Sequence, residues 1–264
     1  MMTADDANDP RPPRVGSAHR RCHRWLFRNS DDSHVSSYRV MGVDACRTGW
    51  VGIVLSTDEL LAYFAPDIEE LAAAAERDGK LDAVAVDMPI GLPDAGRRAA
   101  DVLARQALGP RWASVFITPV RTALAHDDYT IASAENVRAA GEGISKQAFA
   151  LRHKIRQVDR WIRRTEHRVV EVHPELAFAK LAGKPLPHSK STWNGAAQRR
   201  HLLAAAGIRL ADDLAAAGAA AGTADILDAA AAAWIALRVA QGQSSPMPDP
   251  PEIFSDRLPA AIWS

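Results

Sequence analysis

Cysteine is nearly missing from this chain: Cys22 and Cys46 are the only two in 264 residues. They lie in unlike settings, which argues against a disulfide framework and fits a reducing compartment. Net charge is missing too. Thirty-two basic and 32 acidic side chains give a formal +0, so no global field draws the protein to a polyanion, and any such binding has to be local. No run approaches the roughly 20 apolar residues of a membrane span. The N-terminus, acidic and then rich in Arg, His and Pro, has no apolar core of the kind a secretory signal needs. No Walker A glycine loop, Cys-x-x-Cys metal site or internal repeat occurs. The expectation left standing is a soluble cytoplasmic protein, with 47% hydrophobic residues for one large domain or two small ones.

What is present is organised unevenly. Residues 1–37 have scattered Pro, Arg, His and Ser and one apolar cluster, Trp25-Leu26-Phe27, and read as a disordered or weakly ordered arm. Strand-like segments follow at 39–45, 50–55 and 60–64, then a helix from Pro66 through Arg77 and a buried strand ending at Val86. Helices are expected over 95–108, 129–140 and 144–164, the last with a basic outer face (Lys146, Arg152, Lys154, Arg156, Arg160, Arg163, Arg164). A fifth strand spans 168–173, and Pro174 and Glu175 open a short helix. Further helices are expected at 195–206 and, more weakly, 210–217. The final helix, 223–240, has Thr223 as its N-cap. Gly242 and four prolines between 246 and 251 mark 243–264 as a loose tail. The fold expected over 38–242 is therefore α/β: a mixed five-stranded sheet with helices on both faces and a helical insertion, about 95–165, between strands four and five.

The chemistry gathers at acids that end regular elements. Asp44 sits among apolar strand residues, where an unpaired charge is expensive; its bland alternative is a solvent-facing turn. Asp87 follows the fourth strand and precedes Met88-Pro89, so it is either a ligand or a turn anchor. Asp225 and Asp228 lie three apart on the last helix and share a face, although Asp225 could serve the helix dipole alone. Carboxylates converging from three segments suit hard divalent ions, Mg²⁺ or Mn²⁺. Asp44 would bridge two such ions, about 3.5–4 Å apart, with Asp87, Asp225 and Asp228 flanking. In Glu171-Val172-His173-Pro174-Glu175, either Glu is a further ligand, an orienting partner or a plain salt bridge, and His173 is a proton carrier or a structural histidine. Arg47, Arg121, Lys146, Gln147 and Lys190 are candidates to hold phosphate, and the basic helix face either tracks a nucleic-acid backbone or is a solvated surface. The Trp and Phe residues fit core and loops better than a base-stacking platform, and Cys46 reads as a small buried hydrophobe.

Several stretches together resemble a family described as predicted ribonuclease H-like nucleases, domain of unknown function 429. They are Gly42-Val43-Asp44-Ala45-Cys46-Arg47-Thr48-Gly49-Trp50, Asp87-Met88-Pro89-Ile90-Gly91-Leu92-Pro93, Ser114-Val115-Phe116, Pro119-Val120-Arg121, Gly143-Ile144-Ser145-Lys146-Gln147, Glu171-Val172-His173-Pro174-Glu175 and Asp225-Ile226-Leu227-Asp228-Ala229. They extend over about residues 40–240, and their combination in this order is the specific signal. Ala45 stands where the family pattern has glycine, and a small residue still fits. The resemblance implies a ribonuclease H-like fold and a metal-dependent phosphodiester hydrolase, a nuclease with DNA or RNA as partner. Its catalytic acids would be Asp44, Asp87, Asp225 and Asp228, with Glu171 in addition. The same fold also carries nucleotide-binding phosphotransferases and ATPases, and a non-catalytic metal- or nucleic-acid-binding module is a third reading, because fold alone does not fix function.

Overall fold

The computed structural model describes residues 38–57 and 59–264; the arm expected over 1–37 lies outside them. The chain begins with a meander, β1 (Val40–Cys46), β2 (Gly49–Leu55) and β3 (Leu60–Ala65). Helix α1 (Ile68–Glu76) follows, capped not by Pro66 but by Asp67, whose side chain accepts from the Glu69 N–H at 2.8 Å. Strand β4 (Ala83–Val86) leads into the expected helical insertion: α2 (Ala99–Leu108), a 3₁₀ turn (Gly109–Ser114), α3 (Arg121–Leu124), α4 (Tyr129–Ala140), α5 (Lys146–Ala150) and α6 (Arg152–Ile162). The single helix expected over 144–164 is interrupted at Leu151. After β5 (Val169–Val172) come α7 (Pro174–Ala182), α8 (Trp193–Ala205), α9 (Ala215–Ala220) and α10 (Thr223–Ala240).

The sheet has seven strands, not five, in the order β3-β2-β1-β4-β5-β7-β6. The two additional strands, β6 (Pro246–Ile253) and β7 (Pro259–Trp263), come from the stretch expected to be a loose tail. Prolines lack an N–H and so argue against an interior strand, but β6 is an edge strand, where they are tolerated. β7 adds to β5 in parallel, and its Ala260, Ala261 and Ile262 are buried. The same stretch braces the segment after β4: Asp256 accepts from the Leu92 N–H at 2.7 Å, and Glu252 accepts from Ala99 N–H at 2.6 Å.

Helices cover both faces, as expected. Period-two alternation sends Met41, Val43, Val84 and Val86 into a core with α1 and α6, while Val40, Ala83, Ala85, Val170 and Val172 face α7 to α10. β1 and β4 run parallel in a register that pairs Val43 with Val86, and the Asp87 N–H donates to Val43 O at 2.9 Å. Asp44 and Asp87 are the next residues along these two neighbouring strands, so they emerge side by side on the face that carries α10.

Candidate metal centre

Helix α10 lies unusually close to β1. Residues 229–233 are all alanine and fully buried, and they meet β1 at Gly42. A β-carbon added to Gly42 would come within 1.9 Å of Ala233 N and 2.2 Å of Ala229 O, a distance that no side chain survives. Two surfaces stripped of bulk thus let the helix backbone rest on the strand, and its first turns reach the strand end where Asp44 sits.

The result is a cluster of three carboxylates. One oxygen from each of Asp44, Asp87 and Asp228 lies within 4.8 Å of the others. Asp44 and Asp228 are buried and Asp87 half-buried. Burial pushes all three carboxyls up. Asp87 reaches about 7, with Lys190 opposing the rise and Glu175 adding to it. Asp228 reaches about 6, with Lys190 opposing and Asp87 adding. Asp44, also repelled by Asp87 and Asp228, lies well above the usual carboxylate range. Lys190 Nζ donates to Asp228 Oδ2. Burial works against this ammonium, yet Asp228, Asp44 and Asp87 hold its pKa above the ordinary lysine value. Asp228 Oδ1 is buried with no hydrogen-bond partner among the described residues. A buried carboxylate oxygen without a partner costs free energy, and two further acids beside it make a cation the matching occupant. The donor set is all oxygen, which selects a hard ion such as Mg²⁺ or Mn²⁺ over a thiophilic one. The residues present therefore fit the expected metal.

Asp225 does not join the three. It lines the same cleft, but its Oδ2 accepts from the Gly222 N–H at 3.2 Å. Gly222, not Thr223, is the N-cap of α10, so Asp225 closes the helix start in the way its alternative reading allowed. Glu171 lines the same cleft but is not one of the three clustered carboxylates, and sheet parity explains why. Val86 pairs with Glu171, which sets Glu171 on the Val43 and Val86 face, opposite to Asp44 and Asp87. There it is buried in a two-pronged contact with Arg98, at 2.6 and 2.8 Å, and it accepts from the Ile90 N–H at 2.7 Å. Arg98 also holds Asp101 and donates to Ile90 O, so the segment after Asp87 is fixed by this buried network. Burial pushes Glu171 up to about 7, against the opposing charge of Arg98. Glu175 pairs with Arg199.

The cluster floors a cleft of about 340 Å³, lined among others by Arg111, Val115, Phe116, Thr118, Gln147, Leu151, His173 and Lys190. Of the residues expected to hold phosphate, Gln147 and Lys190 line it. Arg47 and Lys146 are exposed and outside its lining. Arg121, also outside, is occupied by Asp159 and Asp256. Much of the basic face of α6 is likewise engaged within the chain: Arg152 and Arg156 close on Asp127, Arg163 on Asp159, and Lys154 donates to Gly49 O. His173 Nε2 lies 3.3 Å from Ser114 O, and burial lowers its pKa. Cys46 is a free, buried thiol. Arg111 and Thr118 escaped the sequence reading, since nothing in a loop of mixed composition separates a cleft-facing arginine from a surface one.

These features define an α/β protein with a candidate carboxylate metal site at adjacent strand ends. The family model described as "Protein of unknown function (DUF429)" matches residues 42–253, and the chain belongs to that family, whose fold is ribonuclease H-like. No curated protein and no solved structure gives a significant match to the chain. Among the described residues, no helix is long and apolar enough to cross a membrane.

Proposed function

We propose that this protein is a phosphodiester hydrolase dependent on Mg²⁺ or Mn²⁺, with nucleic acid as its substrate. The observation that carries the reading is the meeting of Asp44, Asp87 and Asp228, from three distant segments, within 4.8 Å on the floor of one cleft. A purely structural role is a poor account of it, because clustering acids that burial has already penalised costs stability and gives back nothing without a cation.

A bound divalent ion supplies Lewis acidity toward a phosphoryl oxygen and makes a neighbouring water easier to deprotonate. The protein's residues do the remaining work. Asp44, Asp87 and Asp228 hold the ion. Lys190, anchored on Asp228, keeps a positive charge beside the place where negative charge develops in the transition state. Val115, Phe116 and Leu151 give the cleft apolar wall, which limits the water competing for those charges.

The test is Asp44→Asn. Wild type is expected to cleave one or more members of a panel of DNA and RNA oligonucleotides in Mg²⁺ or Mn²⁺, and the variant to lose that activity with an unchanged circular dichroism spectrum. Equal cleavage by both proteins removes the mechanism. Stabilisation by ATP with Mg²⁺, without cleavage of any oligonucleotide, moves the reading to a phosphotransferase. Stabilisation by the metal alone, without turnover, moves it to a binding module.

A further inference from the structure

Asp228 Oδ1 is not the only unsatisfied atom of this cleft. Arg111 Nε, Thr118 Oγ1 and His173 Nδ1 are also buried side-chain atoms without a hydrogen-bond partner among the described residues, and all three residues line the same cavity. A cation alone leaves these groups unexplained. Arg111 and Thr118 carry donors, and donors are what an anion needs.

Arg111 is distinctive among the arginines near the site. Arg98, Arg121 and Arg199 each face a carboxylate. Arg111 makes no ion pair with a described residue, although its carbonyl accepts from Ser114 Oγ at 2.9 Å, which fixes the turn that carries it. Among the described residues, the cleft wall carries two cationic side chains, Lys190, paired with Asp228, and Arg111, which has no ion-pair partner there. Thr118 is buried, and its backbone N–H donates to Asp101 Oδ2 at 2.7 Å. Its backbone is thereby pinned to the Arg98 network while its hydroxyl stays unused. His173 takes a different part. With its Nε2–H donated to Ser114 O, its neutral ring leaves Nδ1 as an acceptor, so it steadies the 111–114 turn and adds no donor.

We infer that Arg111 and Thr118 form a phosphate-holding subsite on the wall of the metal cleft. The guanidinium fork and the hydroxyl would take the non-bridging oxygens of the phosphodiester that lies against Asp44, Asp87 and Asp228. Guanidinium suits this task, since two of its N–H groups match two phosphate oxygens at once. The inference rests on the hydrolase reading for the identity of the anion, but the subsite's existence is tested separately.

The probe is a fluorescein-labelled oligothymidylate, with binding followed by anisotropy in EDTA, where no turnover occurs. A nucleoside 5′-monophosphate serves as competitor. Arg111→Gln is expected to weaken binding of both about tenfold, the loss of one charge-assisted contact, with Mn²⁺ affinity and melting temperature not reduced. Arg111→Lys recovers part of the loss, and Thr118→Val shows a smaller loss of the same kind. Lys80→Gln, exposed at the other end of β4, binds as wild type and controls for general charge. Binding by Arg111→Gln equal to wild type overturns the inference, as does the absence of binding by wild type. Loss of binding in Arg111→Gln when no protein cleaves any substrate keeps the subsite and discards the hydrolase. Metal-dependent cleavage by wild type with full oligonucleotide binding in Arg111→Gln does the reverse.

Discussion

Gly42 of β1 and Ala233 of α10 are in backbone contact, and a single β-carbon at position 42 would overlap Ala233 N at 1.9 Å. This contact sets the distance between the strand that carries Asp44 and the helix that carries Asp228. Gly42→Ala is expected to force α10 away. Overpacking of this kind costs about 1–3 kcal/mol, read as a lower melting temperature, and Mn²⁺ affinity should fall with it. A variant as stable as wild type, binding Mn²⁺ equally well, would show that the close approach does not govern the site.

Asp228 and Asp225 are one helical turn apart; Asp228 belongs to the three-carboxylate cluster, whereas Asp225 accepts from the Gly222 N–H at the helix start. Calorimetric titration with Mn²⁺ should find one tightly bound ion per chain. Asp228→Asn should abolish that binding, while Asp225→Asn retains it and loses about 1 kcal/mol of stability, the typical worth of a helix-start contact. Two tight ions in wild type, one of them lost in Asp225→Asn, would instead restore the two-ion arrangement expected from the sequence.

In the metal-free protein the burial of Asp87 should be visible as a pH dependence. Its folded pKa of about 7, and that of Asp228 at about 6, lie above the ordinary 3.8. The folded state therefore holds protons that the unfolded chain releases. Their contribution to stability is complete below 3.8 and is lost as pH rises through about 6 to 7. Urea unfolding in EDTA should show this decline between about pH 4 and about pH 7, and Asp87→Asn should flatten part of it. Mn²⁺, which takes the place of the protons, should stabilise more at the higher pH. Equal slopes for wild type and Asp87→Asn would refute the assignment.

Arg98 is expected to be among the costliest positions to change. Arg98→Met leaves Asp101 and Glu171 buried without their shared partner, a loss of about 3–5 kcal/mol, and it frees the Ile90 and Gly91 carbonyls that hold the segment after Asp87. Glu171→Gln should be milder, since the amide oxygen can still accept from the Ile90 N–H. Denaturant midpoints for the two variants check the order, and a milder Arg98→Met would disprove it.

Much of this protein was legible in its residues. The three-strand meander, the helical insertion and α10 follow from apolar periodicity and turn signals, which act within a few residues. The candidacy of Asp44, Asp87 and Asp228, which the structure brings together, was legible too, because a carboxylate embedded in apolar sequence is costly wherever the chain folds. The last two strands were not. The prolines of β6 hide a strand whose edge position makes them acceptable, and that position is a property of the whole sheet.

The division at the site has the same origin. Sequence alone determined which acids stand at the ends of regular elements, since local pattern decides where an element stops. Only the tertiary structure decided which of them meet. Sheet register turned Glu171 to the opposite face and into the Arg98 network, the start of α10 claimed Asp225, and neighbouring acids occupied Arg121 while Arg111 found no ion-pair partner among the described residues. Each of these outcomes depends on groups far apart in the chain competing for one another, and no local pattern records who wins.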